Sequence, residues 1–331
     1  MAKLFQKDRL VKKLNNSYKK GLTEEAKYWN FGYPMLSDAF PALRSGIGLI
    51  FANENIGKSA FACNIGVNTL MNDPNTFWMD FSLDDSEDDR FGYLLACYGK
   101  IKINDIKNSA DSTKEQKEKR KLVYSNWSKN FGERYEIVAL SDDEDIDLED
   151  PSNTPEIRYA EYIGELIQDA RKQIGKDAKL LVTIDGFHDV ETMENLDELV
   201  KQKVKGTKLN EAASRANALI ISTAHQIKHT RSRAVSTDDM YGAAALKYRA
   251  KFLIHLYSEY KELEDNANIV WQLSDGDTEK IMPVVEAKIA KNKAGDFGGR
   301  IFYNFLPANC YMQEADTVEQ KVFASYIKGG K

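Results

Sequence analysis

Ala52-Asn53-Glu54-Asn55-Ile56-Gly57-Lys58-Ser59 is the stretch that decides the fold of this 331-residue chain. The apolar run at residues 47–51 precedes it and is typical of a buried parallel strand. Residues 60–67 follow it and suit a helix packed on that strand. A strand, a loop ending in Gly-Lys-Ser and a helix together predict a phosphate-binding loop, with Ala52 in the position of the usual first glycine.

The chemistry of such a loop follows from its geometry. Backbone amides of the loop and of the helix N-terminus point at an anion. The Lys58 ammonium reaches the outer phosphates, and the Ser59 hydroxyl can ligate Mg²⁺. We therefore expect ATP and Mg²⁺ as cofactors. The residues predicted to bind the nucleotide are Asn55, Ile56, Gly57, Lys58, Ser59 and Ala60.

Composition narrows the class of protein. The chain is 42% hydrophobic and 29% charged, an ordinary globular profile, and its net charge of −5 excludes a generally basic nucleic-acid binder. Three cysteines without C-x-x-C spacing favour a reducing compartment and neither disulfides nor zinc. Without a long apolar run or a signal-peptide core, we expect a cytoplasmic protein (in the host cytoplasm if it is viral) that does not contact a membrane.

The hydrophobic pattern alternates between strands and helices. Strands are predicted at 47–51, 76–81, 135–140, 179–184, 218–223 and 252–257, and helices at 58–71, 90–98, 113–129, 157–174 and 196–216. Further strands are predicted at 269–273, 283–290 and 300–305. The pattern predicts an α/β fold with a mainly parallel, twisted sheet, helices on both faces and C-terminal β-hairpins.

Two segments differ from this core. Residues 3–20 have apolar residues near helical spacing with lysines between them, so we expect residues 1–30 to form a helical arm and linker ahead of one domain at 31–331. The periodicity does not decide whether the arm lies on its own domain or on a partner. Residues 141–150 hold seven acids in ten residues and favour a solvated loop.

Three predicted strands end in polar residues, and the carboxyl ends of parallel strands face the ligand crevice. Asp185 follows an apolar strand and is the predicted second Mg²⁺ ligand. Asp84 could orient the attacking water, or it could cap the acidic helix start after it. His225 and Gln226 end a third strand, where polar groups could sense the γ-phosphate.

The segment after Gln226 is a compact basic loop in an acidic protein. Its cations are Lys228, Arg231 and Arg233, and its position beside the nucleotide strand ends favours contacts with a nucleic-acid backbone. The alternative is a solvated turn with no ligand.

These motifs, taken in order, resemble the RecA-type motor domain of DnaB-like replicative ring helicases. The resemblance covers roughly residues 30–310 and rests on the phosphate loop, Phe81-Ser82-Leu83-Asp84, the strand ending in Asp185, and His225-Gln226. Asp239-Met240-Tyr241-Gly242 with the alanines after it is similar to the family's DNA-binding loop. Lys291-Asn292-Lys293 is similar to its Lys-x-Arg finger region.

The resemblance implies a RecA-like P-loop NTPase core that forms a ring, usually a hexamer, around single-stranded DNA. ATP would lie between subunits, with Lys293 acting on a neighbour's nucleotide and Gln226 coupling the γ-phosphate to the DNA loops. Tyr241 and Gly242 would contact DNA, the arm would pack on the next subunit, and a primase or another replication protein would be a partner. We expect a phage-like motor without the family's separate N-terminal domain.

Departures from the family pattern leave a second function open. Asp84 stands where the family usually has a glutamate, and Lys293 and Tyr241 stand where it usually has arginines. Lysine cannot make the planar bidentate contact of arginine. The leading hypothesis is therefore an ATP-dependent helicase or translocase, and the alternative is a nucleotide-gated scaffold or helicase loader with little turnover. A recombinase-type filament is a third option.

Overall fold

A computed structural model describes residues 11–12, 14–15, 29–107, 112–140, 155–194, 196–226, 233, 244–275 and 278–329. Of the predicted N-terminal arm, Val11, Lys12, Leu14 and Asn15 have helical backbone, and almost all of the rest lies outside these ranges. The acidic run at 141–150 also lies outside them. None of the described helices is long and apolar enough to cross a membrane.

The described strands form one sheet. They are β1 (Gly46–Ala52), β2 (Thr76–Ser86), β3 (Tyr135–Leu140), β4 (Lys179–Asp185), β5 (Ala218–His225), β6 (Phe252–Tyr257), β7 (Val270–Asp275), β8 (Thr278–Asn292), β9 (Arg300–Leu306) and β10 (Tyr311–Glu314). The order across the sheet is β10-β9-β8-β6-β1-β5-β4-β2-β3, and β7 pairs with β8. The six strands from β6 to β3 are parallel, and β7 to β10 extend the sheet in antiparallel pairs.

The helices lie before, between and after these strands. They are α1 (Pro34–Ala39), α2 (Lys58–Asn72), α3 (Glu87–Gly99), α4 (Ile103–Lys107), α5 (Lys114–Phe131), α6 (Ala160–Ile174), α7 (Glu198–Ala216), α8 (Ala244–Arg249), α9 (Glu259–Leu263) and α10 (Thr317–Gly329). The predicted parallel sheet and antiparallel C-terminal extension are confirmed.

The central strand β1 is buried along its whole length because helices cover both faces of the sheet. Its alternate side chains enter two separate cores. Ile50 packs in the core under α2 and α3, and Leu49 packs in the core under α6 and α7. Close packing of α2 on the sheet requires a glycine, because a Cβ at Gly66 would lie 2.3 Å from the Trp78 ring.

The C-terminal region contains elements that the hydrophobic pattern did not predict. Helix α10 packs Phe323 against Phe302 of β9 in a small third core. Gln320 of this helix exchanges hydrogen bonds with the backbone of Phe302, at 3.0 and 2.9 Å. An edge strand and a helix thus complete the sheet beyond the predicted hairpins.

Candidate nucleotide site at the carboxyl edge of the sheet

The loop between β1 and α2 has the conformation that its residues predict. Ala52 is still part of β1 and pairs with His225. Its backbone is therefore extended, a conformation that accommodates the alanine methyl group, so this position does not require a glycine. Asn55 and Gly57 have φ angles of 59° and 104°, in the left-handed region that asparagine and glycine tolerate best. The loop therefore turns twice within three residues and delivers Lys58 to the first position of α2.

Lys58 lies folded across the mouth of its own loop. Its Nζ donates hydrogen bonds to the backbone oxygens of Asn53 and Ala52, at 3.0 and 3.4 Å. Burial lowers the pKa of Lys58, while the carboxylates of Asp185 and Glu54 act in the opposite direction. The ammonium is thus held among oxygen atoms at the point where a phosphate oxygen could replace them.

Ser59 and Asp185 are the two predicted metal ligands, and the structure brings them together. Burial raises the pKa of Asp185, but the charge of Arg90 and hydrogen bonds from Thr223, Ser59 and Arg90 outweigh it and lower the pKa overall. The Thr223 hydroxyl donates to Oδ1 across 2.5 Å. An ionised carboxylate beside a serine hydroxyl matches the hard oxygen ligands that Mg²⁺ takes in nucleotide sites.

Arg90 lies at this site although its sequence context did not mark it as a site residue. Its guanidinium is fully buried, binds both oxygens of Asp80 at 2.7 and 2.8 Å, and donates from Nη1 to Asp185 at 3.0 Å. Thr183 and Tyr135 donate to the same Asp80 carboxylate. The sequence signal was an arginine in a helix start that follows an apolar strand containing an aspartate.

Asp84 lies exposed at the mouth of the site, near the end of β2. It does not cap α3, because the Ser86 side chain accepts the hydrogen bond from the Asp89 amide at 3.3 Å. Arg158 donates two hydrogen bonds to the backbone oxygen of Leu83, at 2.7 and 3.1 Å, and so anchors the strand next to Asp84. The capping alternative for Asp84 is therefore wrong.

A cavity of about 290 Å³ lies at this edge of the sheet. It is lined by the predicted residues Asn55, Lys58, Ser59, Asp84 and Asp185, together with residues that were not predicted, among them Asp85, His188, Asp189 and Thr223. His225 also lines it, and the Gln226 amide donates to the Ala52 oxygen at 3.2 Å. A wider groove of about 1180 Å³ between α3, α4 and α5 includes no phosphate-loop residue.

Lys293 is not part of this cavity. It follows β8, and Asn292 pairs with Phe252, which in turn pairs with Gly48 near the start of β1. Lys293 therefore lies at the amino edge of the parallel strands, opposite the phosphate loop. Its Nζ is exposed and donates to the backbone oxygen of Tyr248 at 2.8 Å.

Arg233 is the described member of the residues predicted to bind nucleic acid. Lys228, Arg231, Tyr241 and Gly242 lie outside the described residues. The Arg233 guanidinium forms ion pairs with Glu259 and Glu286, the latter at 2.9 Å, and lies 5.0 Å from the centre of the Tyr257 ring. Both carboxylates are largely buried. These contacts favour a structural role for Arg233 over the predicted backbone contact.

Within the ranges that the structure describes, no group of three or more His, Cys, Asp or Glu side chains could hold a metal ion. A metal here would depend on phosphate oxygens and water beside Ser59 and Asp185, which is the usual arrangement for Mg²⁺.

The three cysteines, which are far apart in sequence, are all buried and free. Cys97 is hydrogen-bonded to Cys63, and this contact and burial raise the pKa of the Cys97 thiol.

Comparison with known proteins gives a clear answer for the fold alone. No protein-family model and no curated protein matches the chain. One solved structure, described as an ATPase domain, is similar over 93% of this chain and 99% of its own, with a TM-score of 0.74 and 16% identity.

A second solved structure describes a DnaB-like replicative helicase and its interactions with primase. It is similar over 92% of this chain and 68% of its own, with a TM-score of 0.72 and 16% identity. The resemblance to the DnaB-like motor domain is thus confirmed at the level of the fold. The chain has the RecA-like fold of the ATPase domains of DnaB-like replicative helicases.

Proposed function

We propose that this chain is an ATP-dependent motor of the ring-helicase type that moves along single-stranded DNA in replication. The observation that carries the proposal is the convergence of Lys58, Ser59, Asp84 and Asp185 on one cavity at the carboxyl edge of the sheet. The fold similarity to replicative-helicase ATPase domains supports a helicase-type function and an ATPase activity.

The charges of the cavity support nucleotide binding together with Mg²⁺. Its lining carries five carboxylates and one lysine, so a triphosphate alone would meet net repulsion. A divalent cation between Ser59 and Asp185 would offset this repulsion and stabilise charge on the transferring phosphate. Lys58 would bind the outer phosphates, and amides from Asn55 to Ala60 would bind the rest.

Two side chains have proposed roles in turnover. Asp84 would polarise the attacking water from the mouth of the cavity. Gln226 would couple the γ-phosphate to the basic loop after it. Its backbone N–H donates to the backbone oxygen of Ala52, which begins the phosphate loop. DNA contact would then come from Lys228, Arg231, Tyr241 and Gly242.

The proposed assembly is a homo-oligomeric ring with shared sites, in which Lys293 faces the nucleotide of the next subunit. Residues 1–30 would act as an arm and residues 31–331 as the ATPase domain. The proposed compartment is the cytoplasm, or the host cytoplasm if the chain is viral, and a primase or other replication protein is a proposed partner. The solved helicase structure, described with its primase interactions, supports this type of partner.

A second candidate, a nucleotide-gated scaffold or loader with low turnover, is favoured by two observations. Asp84 is one methylene shorter than glutamate. The Lys293 ammonium donates a hydrogen bond to the backbone oxygen of Tyr248 and is thus held within its own chain. Both features would weaken catalysis and leave nucleotide binding in place.

One experiment separates the two candidates. ATP hydrolysis and particle mass are measured with and without single-stranded DNA, for the parent and for Lys58→Ala. The motor predicts DNA-stimulated hydrolysis and a ring mass with ATP, both lost in Lys58→Ala. A monomer that binds ATP with no stimulated hydrolysis would support the loader, and unchanged hydrolysis in folded Lys58→Ala would overturn the site.

A further inference from the structure

Two histidines lie side by side in the nucleotide cavity. His188 lies in the turn after β4, and His225 is the last residue of β5. Their ring centres are 4.2 Å apart and their planes are inclined by 63°. Both rings line the same cavity as Lys58 and Ser59. This pairing was not apparent in the sequence, where 36 residues separate the two histidines.

One ring nitrogen of each histidine lacks a hydrogen-bond partner within the described part of the chain. The Nδ1 atoms of His188 and His225 are buried, and neither has a hydrogen-bond partner. Nε2 of His188 lies 3.1 Å from Oδ2 of Asp189. Buried polar atoms without partners are uncommon in folded proteins, and around a cavity such atoms are free to bond to a ligand or to water.

The surroundings favour the neutral form of both imidazoles in the free protein. Burial lowers the pKa of each histidine. The Lys205 and Lys58 ammonium groups lower the pKa of His188 further and Lys58 lowers that of His225, while the nearby carboxylates act in the opposite direction. The charged groups that face the pair are Glu54 and Lys58 from the phosphate loop and α2, Asp84 from β2, Asp185 and Asp189 from β4 and its turn, and Lys205 from α7. A bound phosphate adds negative charge beside the rings and stabilises the protonated imidazole.

We propose that His188 and His225 form a proton-linked phosphate contact in the nucleotide site. A ligand with a terminal phosphate would draw one proton from solvent onto the pair, and the resulting imidazolium would donate a hydrogen bond to that phosphate. The pair takes one proton rather than two, because two charged rings 4.2 Å apart repel each other. This inference rests on the proposed nucleotide site and assigns it a means of distinguishing triphosphate from diphosphate.

Calorimetry measures the proton directly. Binding of a non-hydrolysable ATP analogue and of ADP, each with Mg²⁺, is followed at pH 7 in two buffers that differ in ionisation enthalpy. The parent should take up several tenths of a proton more with the analogue than with ADP. His188→Gln and His225→Gln should each remove most of that difference, and comparison with the parent cancels protons released by the ligand itself.

A histidine outside the cavity provides the matched control. His255 in β6 packs against Phe51, with ring centres 5.1 Å apart, and does not line the cavity, so His255→Gln should keep the full proton uptake. A second measurement needs no variant: the analogue-to-ADP affinity ratio should rise as pH falls from 8 to 6, by up to about tenfold for each pH unit if one proton is linked.

Each outcome has a definite meaning. Equal proton uptake for the two ligands, a flat affinity ratio, or uptake that survives in the double variant His188→Gln/His225→Gln would overturn the inference. Loss of the difference in His255→Gln would overturn it as well. Tight analogue binding without linked protons would leave the proposed function standing, whereas no nucleotide binding by the parent would overturn both.

Discussion

Arg90 donates a hydrogen bond from Nη1 to Oδ2 of Asp185 across 3.0 Å and so ties helix α3 to the carboxylate predicted to hold Mg²⁺. The same guanidinium holds Asp80, which lies wholly inside the protein. Burying these charges costs free energy unless each is paired and hydrogen-bonded. The network therefore keeps Asp185 ionised and fixed in position before any ligand binds.

Removing the arginine should destabilise the fold strongly. Arg90→Met leaves Asp80 as an unpaired buried charge, and we expect a loss of about 3–5 kcal/mol in the free energy of unfolding, measured in urea. The matched control is Arg215→Met, where an exposed arginine pairs with Glu211 on α7 and the change should stay within about 0.5 kcal/mol. Equal effects for the two variants would mean that the buried network contributes little.

Variants of Asp84 and Ser86 should affect ATP turnover and protein stability separately. Because Ser86 caps α3, Ser86→Ala should lower stability by about 1 kcal/mol and leave ATP turnover largely intact. Asp84→Asn should keep ATP binding and lose turnover, since the amide cannot accept a proton from water. A steady-state ATPase assay and a thermal melt on both variants test this, and unaltered turnover in Asp84→Asn would exclude the water-orienting role.

Asp84→Glu tests the departure from the family pattern. If the shorter aspartate slows catalysis by holding water too far from the phosphate, the glutamate variant should hydrolyse ATP faster than the parent. The measurement is turnover at saturating ATP with the same DNA. Slower hydrolysis in Asp84→Glu would show that the cavity is built around the aspartate.

Asp189 should make stability depend on pH. Burial, reinforced by the charge of Asp84, raises its pKa to about 6 from an ordinary value of 3.8. Below pH 3.8 the Asp189 carboxyl is neutral in both the folded and the unfolded chain. Above pH 6 it is ionised in the folded protein as well, and burying that charge lowers the free energy of unfolding. Asp189→Asn should therefore be neutral at pH 4 and stabilising at pH 8, by at most about 3 kcal/mol at about 1.36 kcal/mol per pKa unit.

Denaturant unfolding at the two pH values measures this difference. The stabilisation should grow between pH 4 and 6 and then level off. A variant that is equally stable to the parent at both pH values would mean that the carboxyl is better solvated than its burial implies.

Much of the fold could be predicted from sequence because its signals are local. Apolar runs between turn residues gave each of the parallel strands, and the Gly-Lys-Ser loop gave the position of the site. Helix α10 was not predicted, and the contacts that hold it, from Phe323 and Gln320 to Phe302, become visible only once β9 lies beside it. The Arg90–Asp80 pair was missed because it forms only when α3 folds back on β2, and the His188–His225 pair because it needs β4 and β5 to be neighbours in the sheet. Asp84 was predicted in the cavity, but its competing role as a cap could be excluded only when Ser86 was seen to occupy that position.

The basic loop gives a test in which its members behave differently. Arg233→Ala breaks ion pairs with Glu259 and Glu286, so it should lower stability and leave the salt dependence of DNA binding unchanged. Lys228→Ala/Arg231→Ala should flatten the log–log salt slope for single-stranded DNA, by about 0.7 for each lost phosphate contact. Binding titrations at several salt concentrations decide, and a flatter slope in Arg233→Ala would restore it as a DNA contact.

Lys293 gives the prediction that separates shared sites from self-contained ones. Gly48, near the start of β1, pairs with Phe252, whose other neighbour is Asn292, and the phosphate loop begins after Ala52. Gly48 and Ala52 are roughly 13 Å apart along β1, at about 3.3 Å per residue. In addition, β8 is separated from β1 by β6. Lys293 is therefore too far from its own phosphate loop to contact phosphates bound there, and in the proposed ring it would act on a neighbouring subunit.

Mixing inactive variants tests this role. Lys58→Ala and Lys293→Ala should each hydrolyse ATP poorly, and mixed rings should regain activity where an intact Lys58 meets an intact Lys293 from the next subunit. The alternative is that Lys293 only stabilises the end of α8 through its bond to Tyr248, in which case Lys293→Ala should lose about 0.5 kcal/mol of stability and keep its turnover. Co-assembly is verified by mass at each mixing ratio, and rings that contain both variants yet stay inactive at every ratio would exclude a shared site.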